Sequence, residues 1–198
     1  AMDLDGSTGF KYIRDIRSLD DFNGVWNLRI NDLGDEFMIS SSQMGPFPEG
    51  LQVGLVNINE RKVLLNFLDH KEMIQNNKNS VYDLKVIAGD QEYVKSMSQE
   101  ILSSIPEEFS LGQNYPNPFN PITQMEYSLP QSSKVVISIY NVLGQEIKTL
   151  VNKEQDYGYH SVSWDGTDRL GKSVASGVYF TQMRSDGFSQ SKKMLLLK

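Results

Sequence analysis

Cysteine is absent from the 198 residues, which excludes disulfides, thiolate metal sites and cysteine nucleophiles together. Histidine is scarce: the two present, His70 and His160, are far apart and lack the spacing of a zinc site. No serine occupies a Gly-x-Ser-x-Gly elbow, and no glycine-rich loop has phosphate-binding spacing. The chain is therefore expected to be no enzyme and to hold no cofactor or metal. A basic excess is missing as well. Nineteen Lys and Arg against 25 Asp and Glu give a net charge of −6, which argues against nucleic-acid binding, an activity of clustered cations. The longest apolar run, Met194-Leu195-Leu196-Leu197, falls far short of the roughly 20 residues that span a bilayer, so no transmembrane helix is expected.

What is present fits a soluble globular chain of one or two domains, with 39% hydrophobic and 22% charged residues. Ala1 ahead of Met2 reads as a tag remnant, so the chain is expected to be a C-terminal piece of a longer protein. Over residues 22–95, Trp26, Leu28 and Ile30 alternate with polar neighbours, as do Leu51, Val53 and Leu55, and Tyr82, Leu84 and Val86. That period suits half-buried strands. Gly34-Asp35, Gly45-Pro46-Phe47-Pro48 and Asn76-Asn77-Lys78-Asn79 punctuate them as turns, and residues 69–75 are read as a helical turn. The polar, serine-rich stretch over residues 96–113 is read as the linker between an accessory β-sandwich (1–105) and a second sandwich (106–198).

Proline is unevenly spread. Three of the seven fall in Asn114-Tyr115-Pro116-Asn117-Pro118-Phe119-Asn120-Pro121. Each fixes its own φ, removes an amide donor and pushes the preceding residue toward extended conformations. The run can be neither a helix nor an inner strand with a full ladder. As a stiff segment between sandwiches it is expected to bridge them.

Alternation then resumes. Met125, Tyr127 and Leu129 line one face of a strand that Pro130 ends, and Val135, Ile137 and Ile139 line the next, with Val136 and Tyr140 on the opposite face. Asn141-Val142-Leu143-Gly144 reads as a hairpin, Gly144 suiting a positive φ. His160, Val162 and Trp164 form another strand, and two final strands meet across Ser185-Asp186-Gly187. The expected fold is all-β, with two immunoglobulin-like β-sandwich domains in tandem.

Several pieces stand out in order: the proline run; Tyr127-Ser128-Leu129-Pro130; residues 136–146; Gly158; Trp164-Asp165-Gly166-Thr167-Asp168; Gly171; Ala175-Ser176-Gly177-Val178-Tyr179-Phe180; and Lys192-Lys193-Met194-Leu195-Leu196-Leu197-Lys198. With these, residues 114–198 resemble the type A C-terminal sorting domain of the type IX secretion system of Bacteroidetes and related bacteria. Residues 135–183 also resemble the immunoglobulin-like domain of the flagellar hook-capping protein, which shares the Trp-Asp-Gly and Ser-Gly-Val-Tyr pieces. The first resemblance implies a sorting module without catalysis. Its carrier would reach the periplasm, be recognised by the outer-membrane translocon and emerge secreted or on the cell surface. A surface sortase-like peptidase would remove the module upstream of Asn114, the cargo being released or joined to lipopolysaccharide. The implied recognition residues are Asn114, Pro116, Asn117, Pro118, Phe119, Asn120, Pro121, Gly144, Trp164, Asp165, Gly166, Gly171, Ser176, Gly177, Tyr179 and the terminal Lys192, Lys193, Met194, Leu195, Leu196 and Leu197.

Simpler roles stand beside these. Asp165 and Asp168 are read as turn-holding carboxylates rather than a cation site. Asp3-Leu4-Asp5-Gly6-Ser7 begins like a calcium loop, but Arg14 occupies the place of the bidentate carboxylate. The terminal lysines could guard a sheet edge, or the segment could be docked by strand addition. Two alternative functions remain: a structural assembly module of the hook-capping kind, and a carbohydrate-binding accessory domain of a secreted hydrolase.

Overall fold

A computed structural model of the chain describes residues 2–5, 23–30, 36–41, 48–67, 71–75 and 82–198. The chain divides into two compact units, Ala1–Ser104 and Ile105–Lys198. Among the described residues no helix is long and apolar enough to cross a membrane.

The first unit holds β1 (Met2–Asp5), β2 (Gly24–Ile30), β3 (Glu36–Ser41), β4 (Gln52–Asn57), β5 (Lys62–Leu64), β6 (Lys71–Gln75), β7 (Tyr82–Gly89) and the helix α1 (Gln91–Ser104). The strands form two antiparallel sheets, ordered β2-β7-β4-β5 and β1-β3-β6. Leu28, Ile30, Leu55, Tyr82 and Leu84 of the larger sheet share a core with Ile39 of β3 and Phe67. Trp26 is half-buried on β2, opposite Val86.

The first half of the serine-rich stretch expected as a linker, up to Ser104, belongs to the helix α1. Val94, Ser98 and Ile101 make its buried face, a helical spacing hidden among polar residues. Asp90 caps the start, its carboxylate accepting from the Tyr93 amide at 2.7 Å. The serines do not break the helix because each finds a carbonyl of the preceding turn. Ser96, Ser98, Ser103 and Ser104 donate to Tyr93, Val94, Glu100 and Ile101 at 2.7–3.1 Å. Gly54 on β4 admits the helix, since a Cβ there would lie 2.8 Å from Val94 Cγ1. A second correction concerns residues 69–75. The expected helical turn is in fact the strand β6 from Lys71 onward, paired with β3, while Leu68, Asp69 and His70 lie outside the described residues. The turns at Gly34-Asp35, Gly45-Pro46-Phe47 and residues 76–79, and the loop after Asp5, also lie outside them. Asp3 and Asp5 themselves belong to β1.

The second unit holds β8 (Ser110–Leu111), β9 (Thr123–Leu129), β10 (Ser133–Asn141), β11 (Glu146–Gln155), β12 (Gly158–Trp164), β13 (Gly177–Ser185) and β14 (Phe188–Leu196). They form a four-stranded sheet, β11-β10-β13-β14, and a three-stranded sheet, β12-β9-β8. The alternation read from the sequence is the one the sheets use. Met125, Tyr127 and Leu129 from one sheet meet Val135, Ile137, Ile139, Met183, Met194 and Leu196 from the other. Both units are thus antiparallel sandwiches, and the all-β, immunoglobulin-like expectation holds with the addition of one helix.

The segment immediately upstream of Asn114 is not an open tether either. The Gly112 amide donates to Glu126 O at 2.7 Å, and Ser128 Oγ donates to Glu108 O at 2.9 Å. Phe109 stacks on Phe188 with ring centroids 5.7 Å apart. Glu107 and Glu108 are the exposed residues between the end of α1 and β8, and proteases reach exposed backbone, so limited proteolysis of the whole chain should give a stable C-terminal fragment starting at Glu107 or Glu108, as read by mass spectrometry. A fragment starting at Asn114 or beyond would contradict the pairing of β8.

Candidate recognition surface

Two motifs far apart in the sequence clasp each other in the second sandwich. β14 is an edge strand, paired along its inner side with β13 from Gly177↔Leu196 to Ser185↔Phe188. Along its outer side lies the proline run. The Phe119 amide donates to Leu195 O and the Leu197 amide donates to Phe119 O, both at 3.0 Å, forming a parallel bridge. One step earlier the side chain of Asn117 substitutes for a peptide group. Its Oδ1 accepts from the Leu195 amide at 3.0 Å and its Nδ2 donates to Lys193 O at 3.4 Å. Gln113 Nε2 also donates to Lys193 O, at 2.8 Å. The reason is local chemistry. Pro116 and Pro118 have no N–H to offer a neighbouring strand, while a carboxamide carries both a donor and an acceptor.

The run is anchored at its start by Asn114, which is only 2% exposed. Asn114 Nδ2 donates to Pro116 O at 3.0 Å and to Thr123 Oγ1 at 2.9 Å, and Thr123 Oγ1 donates to Pro116 O at 2.8 Å. Tyr115 exchanges two backbone bonds with Gln124 of β9, at 2.8 and 3.0 Å. The Tyr115–Pro116 and Asn117–Pro118 peptide bonds are cis. Pro116, Pro118, Asn120 and Pro121 are exposed. The run is built into the second sandwich as a strap.

An aromatic seat holds the strap. Phe119, 1% exposed, meets the Trp164 ring at 5.5 Å, and Trp164 meets Tyr179 edge-on at 5.1 Å. Trp164 Nε1 donates to Thr167 O at 2.9 Å and Tyr179 OH donates to Ala175 O at 2.8 Å. Burial pushes the Tyr179 hydroxyl above its ordinary value of 10.0. Gly166 lies against the strap in the left-handed region, with φ 68°. A Cβ there would sit 3.2 Å from Pro121 O.

The loop between β12 and β13 is held by its carboxylates, as turns are. Asp165 Oδ1 accepts from Thr167 Oγ1 at 2.6 Å, from the Thr167 amide at 3.2 Å and from Lys148 Nζ at 3.2 Å. Asp168 Oδ1 accepts from the Leu170 and Lys172 amides at 2.9 Å, and the Gly171 amide donates to Asp168 O at 3.0 Å. Among the described residues no group of three acidic or histidine side chains is placed to hold a metal. Ser176 Oγ accepts from the Lys198 amide at 3.0 Å, and Lys198 Nζ donates to Ser173 Oγ at 2.8 Å and to Val174 O. Gly144, φ 76°, is at the β10–β11 hairpin, where Asn141 pairs with Tyr179. The sequence-identified residues therefore gather at one end of the second sandwich.

The terminal strand alternates. Met194 and Leu196 are fully buried, whereas Lys193 and Leu197 are exposed and Lys192 and Leu195 half-buried. His160 is remote from this end. It stacks on Tyr127 with centroids 5.3 Å apart, and its Nε2 lies 2.8 Å from Asp156 O.

Residues 122–187 match the family described as the FlgD Ig-like domain. Among curated proteins none matches the chain. Similar solved structures include FlgD from P. aeruginosa, 27% identical with a TM-score of 0.30, over 38% of this chain and 59% of that one. PorZ, a surface component of the type-IX secretion system of Porphyromonas gingivalis, is 15% identical with a TM-score of 0.33, over 63% of this chain and 16% of that one. Latent PorU from the same organism is 12% identical with a TM-score of 0.39, over 90% of this chain and 20% of that one. The chain spans less than two thirds of each of these proteins. The match over residues 122–187 fits an immunoglobulin-like β-sandwich for the second unit.

Two expectations follow from the seat. Gly166→Ala combines a left-handed φ with a close approach to Pro121, so it should cost at least the roughly 1–2 kcal/mol of an L-residue in that region. At about 4–8 °C per kcal/mol for a small domain, thermal denaturation will read it. Asp165 gives a pH signature. The hydrogen bond from Thr167, aided by Lys148 and opposed by slight burial, holds its carboxyl below the ordinary 3.8. A depressed carboxylate stabilises the fold above its unfolded value and loses that contribution as pH falls through the folded value. Asp165 is 54% exposed, so the effect is expected below about 1 kcal/mol. Asp165→Asn should melt slightly below wild type at pH 7, with the gap closing as pH falls below the ordinary 3.8 and through the lowered folded value.

Proposed function

We propose that the second sandwich is a sorting module: a folded, non-catalytic domain that export machinery of the type IX kind recognises at the strap end. The observation that carries this reading is the clasp. The motifs that resemble a C-terminal sorting domain are separated in sequence, yet the strap, the Trp164 seat, the Ser176 loop and the terminal strand form one continuous structure. The family match begins at Ile122 and ends at Gly187, so the strap and β14 both lie outside the matched residues. The module's carrier would be delivered to the cell surface or the medium. The exposed Glu107 and Glu108, rather than the paired backbone of β8, would be where a surface peptidase separates module from cargo.

The structure dictates how to test this. Deleting residues 192–198 would remove Met194 and Leu196, both 0% exposed, and leave a cavity in the core. Such losses cost about 2–5 kcal/mol per large side chain, so failure of a truncated chain would report misfolding. The informative variant changes exposed atoms only. A fluorescent protein with a Sec signal, fused to the whole chain, would be expressed in a bacterium with a working type IX system. Surface or medium delivery of the wild-type fusion is expected, with a loss of delivery at unchanged melting temperature for the double variant Lys193→Glu, Leu197→Ser. Retention of the wild-type fusion, while the host exports its own substrates, would end the sorting reading.

A structural assembly role is the second reading, favoured by the FlgD-type match over residues 122–187. It predicts a stable complex with another protein that survives Lys193→Glu, and co-purification would detect it.

A further inference from the structure

The terminal strand offers a partner two routes, its backbone edge or its side chains, and the structure closes the first over most of the motif. The strap already occupies Lys193 O, the Leu195 amide and carbonyl and the Leu197 amide. Strand addition needs those groups free. The side chains tell a different story. In β13 and β14 the residues facing away from the core are Val178, Phe180, Gln182 and Arg184, and Ser189, Ser191, Lys193, Leu195 and Leu197, as the alternation of burial shows. Registered across the sheet, they change character along the strands. Toward the strap, Val178 faces Leu195, Phe180 faces Lys193 and Tyr140 faces Phe180. Away from it, Gln182 faces Ser191, Arg184 faces Ser189 and Ser138 faces Gln182, with Val136 facing Arg184 as the apolar exception.

One part of the outer face is therefore mostly polar, as the solvent side of a sandwich normally is. The part beside the strap is mostly apolar across β10, β13 and β14, with Lys193 within it and Glu146 of β11 at its border, where Glu146 Oε2 accepts from Tyr140 OH at 3.4 Å. Tyr140, Val178, Phe180 and Leu195 are only half-buried, and Leu197 is 49% exposed. A contiguous apolar surface of this kind marks an interaction site. Its exposed charge on β14 is the cation Lys193, on a chain whose net charge is −6.

We propose that the partner docks on this apolar half of the outer face, through Tyr140, Val178, Phe180, Leu195, Leu197 and Lys193, and does not add a strand to β14. The occupant is a protein presenting an apolar surface with carboxylates placed for Lys193. The strap's role in this interaction is to keep the edge closed and the face flat. The inference rests on the sorting reading and names the surface that reading leaves open.

The test uses the whole-chain fusion in the type IX-competent host, with three variants whose melting temperatures are measured alongside. Phe180→Ser removes the centre of the apolar half. Gln182→Ala changes the polar half of the same strand. Asn117→Ala removes the amide that caps Leu195 and so opens part of the edge. The expected result is at least a tenfold loss of delivery for Phe180→Ser at a melting temperature close to wild type, with Gln182→Ala delivered normally. Leu195→Ser should repeat the Phe180→Ser loss, which keeps the result readable if Phe180→Ser alone is unstable. Asn117→Ala should give no gain in delivery. Normal delivery of both serine variants, or increased delivery of Asn117→Ala, would overturn docking on the face while leaving the sorting reading intact. Retention of the wild-type fusion would overturn both.

Discussion

The pairing of a proline-rich strap with the edge of the last strand is the constraint around which the second sandwich is arranged. An edge strand leaves a row of amides and carbonyls open, and a segment with prolines at alternate positions cannot supply a regular ladder. The two deficits are met together. Phe119 provides one backbone pair, and the Asn117 carboxamide provides the pair that the prolines cannot. Once the strap is there, Phe119 must be buried, and the seat of Trp164 and Tyr179 follows. Gly166 follows too, because the turn after Trp164 passes within reach of Pro121. The stiffness of the strap helps: prolines have little backbone freedom to lose when the segment is fixed.

The terminal strand serves core and surface at once. Met194 and Leu196 fill the sandwich, while Lys193 and Leu197 face solvent and Leu195 lies half-buried between Val178 and the strap. This alternation means that the segment cannot act as a flexible tail read by residue type alone. Whatever recognises it meets a strand with one set of side chains already spent on stability. Lys192, half-buried on the core side of the same edge, is an inward-pointing charge of the sort that keeps edge strands from pairing with other chains. With the edge protected, the outward side chains are exposed without an open strand for other chains to pair with.

Much of the fold was legible because period-2 alternation maps directly onto inward and outward faces. Met125, Tyr127 and Leu129, and Val135, Ile137 and Ile139, are buried as that period requires. The helix α1 was not legible as one. Its serines read as linker, and only the structure shows each hydroxyl returned to a carbonyl of its own helix. The spacing of Val94, Ser98 and Ile101 after Asp90 was a signal, weakened because one of its members is polar. Residues 71–75 misled for a related reason: a five-residue strand has too few positions to separate a period of two from one of 3.6. The motif residues were visible as types, but not as neighbours. Periodicity assigns a face and says nothing about partners, so nothing in the sequence paired Asn117 with Leu195. An asparagine before a proline signals a turn, and its use here as a substitute peptide group depends on a strand that arrives only at the end of the chain.

The limits of the family match give the last step. Residues 122–187 carry β9 to β13, a set of strands with a core but with β13 left at the edge of its sheet. β14 covers that edge and the strap covers β14 in turn. Each addition moves the unpaired backbone outward, and the sequence ends it with prolines and an asparagine side chain rather than with another strand. A domain whose task is to assemble with copies or partners through sheet edges would gain from leaving that edge open. Here it is closed with the most rigid residues available, so what the end of the sheet offers to solvent is side chains, among them Tyr140, Val178, Phe180 and Leu197, rather than open backbone.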